Sequence, residues 1–377
     1  MSHIHEDLDL TFSDLISIVT MIGKKGFSAL EKVDGQNLFV TFNNGEIRAA
    51  RNLGDLRSGG VTESEFIDRY KDHPARVPFQ EGLIAAKRIL SADRRSFTHA
   101  GRQIWANIEI LHTEYPNLIH YDHNSLIIHS LLSSNHEKCD PTKILNYAFG
   151  DYEFGDITNK WKMFLGLHHV LEETDTTETV EKIEKQMTSE SLLRTNTLRE
   201  YAELRIRRDL EKRFSTKGPQ IDELAAKISG RSSTHLNDIK KKFSSFSQKK
   251  VSEVGTEKGI PKVIREAMCD LETILCDFSG KVLVTVGSNL VSDHESEIKR
   301  IKSLLAESMS TISSGNDSLR KAEMSRHLSR ISDINNSVTS LEGLVFDYPL
   351  NSGKQYKITG AFSVINAIVG MTRYPGR

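Results

Sequence analysis

Residues 31–51 read Glu31-Lys32-Val33-Asp34-Gly35-Gln36-Asn37-Leu38-Phe39-Val40-Thr41-Phe42-Asn43-Asn44-Gly45-Glu46-Ile47-Arg48-Ala49-Ala50-Arg51. The run Leu38–Phe42 is rich in β-branched and aromatic side chains, which suit a pleated strand. Asn44-Gly45 follows it, and a two-residue type I′ turn needs positive φ at both central positions, which Asn and Gly supply most cheaply. That turn sets the register: Asn43 faces Glu46, Phe42 faces Ile47, Val40 faces Ala49 and Leu38 faces Arg51. A β-hairpin therefore begins at the tetrad Lys32-Val33-Asp34-Gly35 and carries Arg51 back to the tetrad's end.

Before the hairpin, Leu10 to Lys25 predicts a helix. Thr11 and Asp14 have capping-box spacing, Leu15, Ile18, Val19 and Ile22 share a face, and Gly23 and Gly26 offer exits. Beyond it, Thr62 and Glu65 predict a second helix start, and Phe79 to Leu90 a third helix. Ile104–Leu111 and Asn124–Leu132 predict two strands, the second nearly all apolar and so central. From about 156 to 338 leucines recur among charges at mostly helical spacing, with one strand expected at Lys281–Val286. Thr339 onward returns to strands, Leu344–Phe346 and Gln355–Phe362, around a turn at Asn351-Ser352-Gly353. The expected organisation is α+β: a β-rich domain over 1–155 and 339–377, split by a mostly helical insertion over 156–338.

Composition restricts the class. In 377 residues, 50 Lys+Arg stand against 51 Asp+Glu, 38% are hydrophobic and 27% charged. Those proportions exclude collagen-like and wholly disordered chains. No apolar run approaches the roughly 20 residues of a membrane helix. The polar, acidic start Met1-Ser2-His3-Ile4-His5-Glu6-Asp7 is unlike a secretory signal. Cys139, Cys269 and Cys276 form no C-x-x-C pair, so a reducing, cytoplasmic setting is expected.

Four places carry chemistry. Lys32 sits on a strand-proximal turn, and a deprotonated lysine attacks phosphorus when burial or neighbouring cations depress its pKa. Gly35 would let the backbone approach a phosphate. Arg51 either grips a phosphate or carboxylate bidentately or pairs with a surface acid. Glu109, in Asn107-Ile108-Glu109-Ile110-Leu111, is an acid on an apolar strand. It must pair with Arg or Lys or bind a ligand hydroxyl. Leu341-Glu342-Gly343-Leu344-Val345-Phe346 and Tyr356-Lys357-Ile358-Thr359-Gly360 add an acid and a lysine. Two lysines and two glutamates on separate strands suit a nucleoside triphosphate and a metal ion.

These segments, in this order, resemble the covalent nucleotidyltransferases: ATP-dependent DNA and RNA ligases and mRNA capping enzymes. The Glu-Lys-x-Asp-Gly form is most similar to RNA ligases, including those of large DNA bacteriophages. The string Glu31-Lys-Val-Asp-Gly-Gln-Asn-Leu-Phe39 with Ala49-Ala-Arg-Asn52 resembles a phage-encoded subgroup, for which the host cytoplasm would be the setting. The resemblance spans 28–135 and 339–365. It implies that Lys32 attacks ATP to form lysyl-AMP with release of pyrophosphate, and that AMP then passes to a nucleic-acid 5′-phosphate, RNA before DNA. It places Glu31 beside the adenine, Asp34 and Gly35 in the nucleotide-binding turn, and Arg51 and Glu109 on the ribose and its phosphate. It sets His129 where an aromatic stacks on the base, with a buried structural histidine as the alternative. Glu342 would assist Mg2+ and orient Lys32; Lys357 would neutralise the α-phosphate and depress Lys32.

Two departures accompany the resemblance. The family's last motif is Lys-x-Lys, and the second position here is Thr359, with Lys354 as a candidate substitute; losing one such cation costs ~10²-fold or more in rate. Only 18 residues follow Thr359, so an RNA-ligase-like architecture without a C-terminal OB domain is expected. Between Tyr201 and Lys250 the sequence holds 13 Lys+Arg and 6 Asp+Glu, an excess of seven. Arg205, Arg208 and Lys212, and then Lys240, Lys241 and Lys242, are the candidate nucleic-acid contacts, against the plain reading of a solvated helix face. His168-His169 with Glu172 and Glu173 has metal-ligand spacing but lacks a third ligand, so a surface helix is expected there. The alternative functional class is an inactive ligase-fold protein that binds nucleic acid or associates with a virion. A guanylyltransferase is the third reading. Protein partners are not indicated.

Overall fold

The computed structural model describes residues 1–43, 45–92, 98–99, 102–133, 138–139, 161–230, 259–313, 321–322, 324–329, 338–350 and 352–373. In chain order, β1 (Ser2–His3) leads through a short 3-10 turn to α1 (Phe12–Ile22), then β2 (Ser28–Lys32), β3 (Gln36–Asn43), β4 (Glu46–Ala50), α2 (Leu53–Arg57), β5 (Val61–Thr62), α3 (Glu63–Arg69) and α4 (Arg76–Ala92). Strands β6 (Thr98–His99), β7 (Arg102–Leu111), β8 (Asn124–Ser133), β9 (Lys138–Cys139), β10 (Trp161–Leu165) and β11 (His168–Val170) follow. Helices α5 (Thr177–Ser189), α6 (Leu198–Phe214), α7 (Pro219–Ile228), α8 (Gly259–Val284) and α9 (His294–Ser313) precede β12 (Gly343–Asp347), β13 (Gln355–Thr359) and α10 (Phe362–Arg373).

The fold is α+β, with two sheets. One has the order β1-β13-β12-β2-β11; the other runs β10-β8-β7-β3-β4-β5, with β6 on β7 and β9 on β8. Both are mixed rather than purely antiparallel, because β1 joins β13 and β10 joins β8 in parallel. The capping boxes are formed: Thr11 caps α1 with Asp14 returning the bond, and Thr62 does the same for α3 with Glu65. The hairpin keeps its expected register, Asn43 to Glu46, Phe42 to Ile47 and Val40 to Ala49. Asn44 lies outside the described residues. Strand β8 is interior, between β7 and β10.

Three expectations change. The Lys281–Val286 run belongs largely to the end of α8, where Val282 and Leu283 are buried in the main core; a helical stripe, not a strand, buries those apolar residues. Among the described residues, helical structure after 156 starts at Thr177, because 161–165 and 168–170 are strands that join each to one sheet. His168-His169 is therefore on a strand, not a surface helix.

Alternation along β2 sorts its side chains. Ala29 and Glu31 are buried, while Ser28, Leu30 and Lys32 are more open, as a period of two requires. Ala29, Leu344, Phe346, Tyr356 and Ile358 join residues of α1, α5, α6, α7 and α8 in one core. In the second sheet Leu38, Val40, Ile108 and Ile110 pack on Phe79, Leu83 and Ala86 of α4. A third core, with Val33, Leu111, Ile119 and Ile127, is covered by α9 and α10. Burying such side chains supplies roughly 1.5–3 kcal/mol each, and the three cores fix the strand ends that meet at Lys32.

Candidate active site

Lys32 ends β2 in the first sheet and Gln36 begins β3 in the second. The tetrad is thus the passage between sheets. Its geometry is held by polar groups within the chain. The buried Asp34 carboxylate accepts the backbone N–H groups of Leu118 (2.6 Å) and Ile119 (3.0 Å). The Asp34 N–H donates to the Tyr121 hydroxyl at 2.6 Å, and Asn117 donates to the Gly35 carbonyl at 2.7 Å. A Cβ on Gly35 would lie 2.6 Å from the Ile110 carbonyl oxygen and 2.7 Å from Glu109 Cγ. Asp34 and Gly35, expected in the nucleotide-binding set, build the turn between the sheets, and the missing Cβ of Gly35 admits strand β7.

Register then aligns the chemistry. Lys32 lies opposite Gly343, Gly343 opposite Thr359, and Val345 opposite Lys357. Directly opposed residues and those two apart share a face, so Lys32, Thr359 and Lys357 project from one side of the sheet. Lys32 Nζ donates to Glu342 Oε1 in a close ion pair, with side-chain exposures of 20% and 9%. Burial, reinforced by the Asp34 and Glu109 charges and opposed by Lys32, pushes the Glu342 carboxyl up to about 8. Burial, and then the Lys32 charge, lowers Lys357. Burial raises Asp34 against its two backbone donors, and it raises the Tyr121 phenol well above its usual value. Lys32, Asp34, Glu109, Glu342 and Lys357 form one electrostatic cluster.

Glu109 stands opposite Asn37 on β3. Asn37 Nδ2 donates to its Oε2 at 3.3 Å, and His129 Nε2 lies 3.4 Å from the same oxygen. Glu109 thus has neither of its expected partners, Arg or Lys, among the described residues. His129 occupies the irregularity in β8, where the register slips between Asn107–Ser130 and Ile108–Ile128; such bulges re-aim a side chain. Its ring is half-buried beside Glu109.

Other expected residues are placed differently. Glu31 points to the helical side of the sheet, opposite to Lys32. Its carboxylate accepts the Ser288 hydroxyl at 2.7 Å, lies 2.8 Å from His169 Nε2 and receives the Asn289 N–H at 3.4 Å. Its side chain therefore lies on the face of the sheet opposite to Lys32. Arg51 does return to the tetrad's end, but its guanidinium donates to the Asn37 carbonyl and lies 5.3 Å from the Phe79 ring centroid. Neither alternative expected of it, phosphate or surface acid, describes those contacts. Lys354 is committed to Asp7, 2.5 Å away, and so does not replace the lysine absent at Thr359.

Two of the six candidate nucleic-acid contacts are ion-paired. Arg205 pairs with Asp270 at 2.5 Å, and Arg208 with the buried Glu190 at 2.8 Å. Lys212 is exposed, and Lys240, Lys241 and Lys242 lie outside the described residues. The sequence carries no signal for Ser288, Asn37 or Tyr121, and it singles out His169 only for metal-ligand spacing with Glu172 and Glu173, not as a partner of Glu31. Among the described residues, no group of three or more His, Cys, Asp or Glu side chains is arranged to hold a metal ion, and no helix is long and apolar enough to cross a membrane. The chain matches no protein-family model and no curated protein sequence.

Proposed function

We propose that the protein is an ATP-dependent nucleotidyltransferase of the RNA-ligase type, with Lys32 as the nucleophile. One observation carries the reading: an amine at the junction of two sheets, held by a buried carboxylate and sharing its face with a second, partly desolvated lysine. A structural ion pair needs no second cation beside it. A site that handles a triphosphate does, because the cations neutralise charge that develops on phosphorus oxygens.

In the first step the Lys32 Nζ lone pair forms a bond to the α-phosphorus while the bond from that phosphorus to the bridging β-oxygen breaks. Pyrophosphate leaves with the bond's electron pair. Glu342, in the ionised form that is populated as pH approaches about 8, accepts the proton that Nζ must lose. Lys357 faces the phosphate, and Glu109 with Asn37 offers acceptors and donors to ribose hydroxyls. A polynucleotide 5′-phosphate oxygen then displaces Nζ from phosphorus, and Lys32 regains its proton. Mg2+ typically takes one or two carboxylates together with phosphate oxygens, and Glu342 and Glu109 provide that number. When bound it would offset phosphate charge.

Incubation with ATP labelled at the α-phosphate and Mg2+ tests the proposal, with labelled GTP in parallel. The expected result is a covalent protein label from ATP, stable to alkali and lost on warming in acid as a phosphoramidate is, that Lys32→Ala abolishes. No label between neutral and basic pH would refute it, and label from GTP alone would reassign the base.

A further inference from the structure

Residues 112–123 join β7 to β8 without regular secondary structure. Connections of that length are uncommon in compact domains unless they serve a function. The middle of this one is held from two sides. Toward the tetrad, the Leu118 and Ile119 N–H groups donate to the Asp34 carboxylate, and the Tyr121 hydroxyl accepts the Asp34 N–H. Toward the helical insertion, the His120 N–H donates to Glu297 Oε1 at 2.9 Å, and Arg300 donates to the Leu118 carbonyl. Arg300 also forks onto Glu297, Nε to Oε2 at 3.0 Å and Nη2 to Oε1 at 2.7 Å. Just beyond, the Asp122 N–H donates to the Leu290 carbonyl at 3.1 Å, and its carboxylate accepts the Ser292 N–H at 2.6 Å. Glu297, in the first turn of α9, is buried, as are Leu118, Ile119 and Asp34. A buried ion pair adds little stability over packed apolar side chains. What it adds is direction, because a planar guanidinium and a carboxylate together orient the peptide groups they bind.

Resting on the nucleotidyltransferase reading, we propose that Glu297 and Arg300 are positioning residues for Lys32, acting through residues 118–121 and Asp34. The Leu118–Ile119 peptide is planar, so its carbonyl and its N–H point in opposite directions. Arg300 takes the carbonyl and Asp34 takes the N–H. One rigid group thus transmits the placement of α9 to the tetrad. Asp34 is two residues from Lys32, in the passage from one sheet to the other. Lys32 Nζ meets the α-phosphorus in line with the departing oxygen only while that passage is fixed. A displacement of about 1 Å, caused by a change far from the chemistry, can cost on the order of 10²-fold in rate. Neither Glu297 nor Arg300 touches the reacting atoms. In this role the helical insertion completes the catalytic domain instead of standing apart from it.

Single-turnover labelling of the full chain with α-labelled ATP and Mg2+, run at increasing ATP, tests this, with urea midpoints and amide hydrogen exchange measured on the same proteins. Arg300→Ala should slow lysyl-AMP formation at saturating ATP about tenfold or more. The ATP concentration giving half the maximal rate should stay within about threefold. Glu297→Gln keeps an acceptor for the His120 N–H and should fall between Arg300→Ala and wild type. Leu305→Ala removes a buried side chain further along the same helix; it should lower the urea midpoint yet label at the wild-type rate per folded molecule. Exchange at the Asp34, Leu118 and Ile119 amides should quicken in Arg300→Ala and stay unchanged in Leu305→Ala. If Arg300→Ala labels as fast per folded molecule as Leu305→Ala, the positioning role is wrong while the enzymatic reading stands. If the wild-type chain takes no label, the enzymatic reading fails and the proposed role with it. Unchanged exchange at Asp34 in Arg300→Ala would overturn the relay even where labelling slows.

Discussion

Replacing Glu342 with glutamine separates the electrostatic cost of the site from its shape. The side chain keeps its volume and one acceptor for Lys32 Nζ, but loses a buried carboxyl pushed up to about 8, first by burial and then by the Asp34 and Glu109 charges against the pull of Lys32. In the unfolded chain the same carboxyl ionises near 4.5. Between those values the folded state binds the proton and the unfolded state does not, so stability falls as pH rises, by up to about 1.4 kcal/mol per pH unit. Across the window the group's contribution declines by on the order of 5 kcal/mol. Glu342→Gln removes that slope. Urea midpoints of both proteins should be measured from pH 5 to 8.5 and their difference plotted, so that groups titrating alike in both cancel. The wild-type protein should lose stability relative to the variant as pH rises, levelling off above 8. The variant should also fail to form the lysyl adduct. A flat difference curve would mean that Glu342 ionises as it does in water, and the argument that burial sets its protonation would be refuted.

Other variants probe the surroundings. Gly35→Ala forces a Cβ to within 2.6 Å of the Ile110 carbonyl; overpacking of this kind costs about 1–3 kcal/mol, read as a lower denaturant midpoint. Ser288→Ala strips a hydroxyl from the buried Glu31 carboxylate, and about 1–3 kcal/mol of stability should go with it, while ATP labelling persists in the folded fraction. Arg208→Ala leaves buried Glu190 with fewer partners; because the arginine is half exposed, about 1 kcal/mol or less is expected, and the salt slope of any RNA binding should be unchanged in a filter assay. A slope lowered by about one would restore Arg208 to the nucleic-acid surface.

Much of the fold was legible because local chemistry decided it. Asn44-Gly45 sets the hairpin register without help from distant residues, and the Thr11/Asp14 and Thr62/Glu65 pairs mark helix starts through their own hydrogen bonds. The sequence brought Lys32, Glu342 and Lys357 together only through the family resemblance; in the fold they meet because β2, β12 and β13 are neighbours in one sheet, with Glu342 just before β12, although Lys32 is 310 residues from Glu342. What failed depended on tertiary neighbours. His168-His169 has no strand pattern of its own and is a strand because β2 offers an edge. Val282 and Leu283 read equally well on a strand or a helix, and the core beneath α8 chooses. Glu31 and Lys32 are adjacent in sequence, and the period of two sends one to the helices and the other to the open face. Gly35 illustrates a further ambiguity: absence of a Cβ serves a phosphate and a neighbouring strand equally, and only the fold reveals the close approach of β7. The arginines at 205 and 208 counted as free charge until Asp270 and Glu190, distant in sequence, were seen to neutralise them.

Tandem mass spectrometry of the protein after incubation with ATP and Mg2+ bears most directly on the account. It predicts AMP joined through phosphorus to the Lys32 side chain, reversed by added pyrophosphate with regeneration of ATP. An unmodified Lys32 peptide, or AMP found on another residue and persisting in Lys32→Ala, would contradict it.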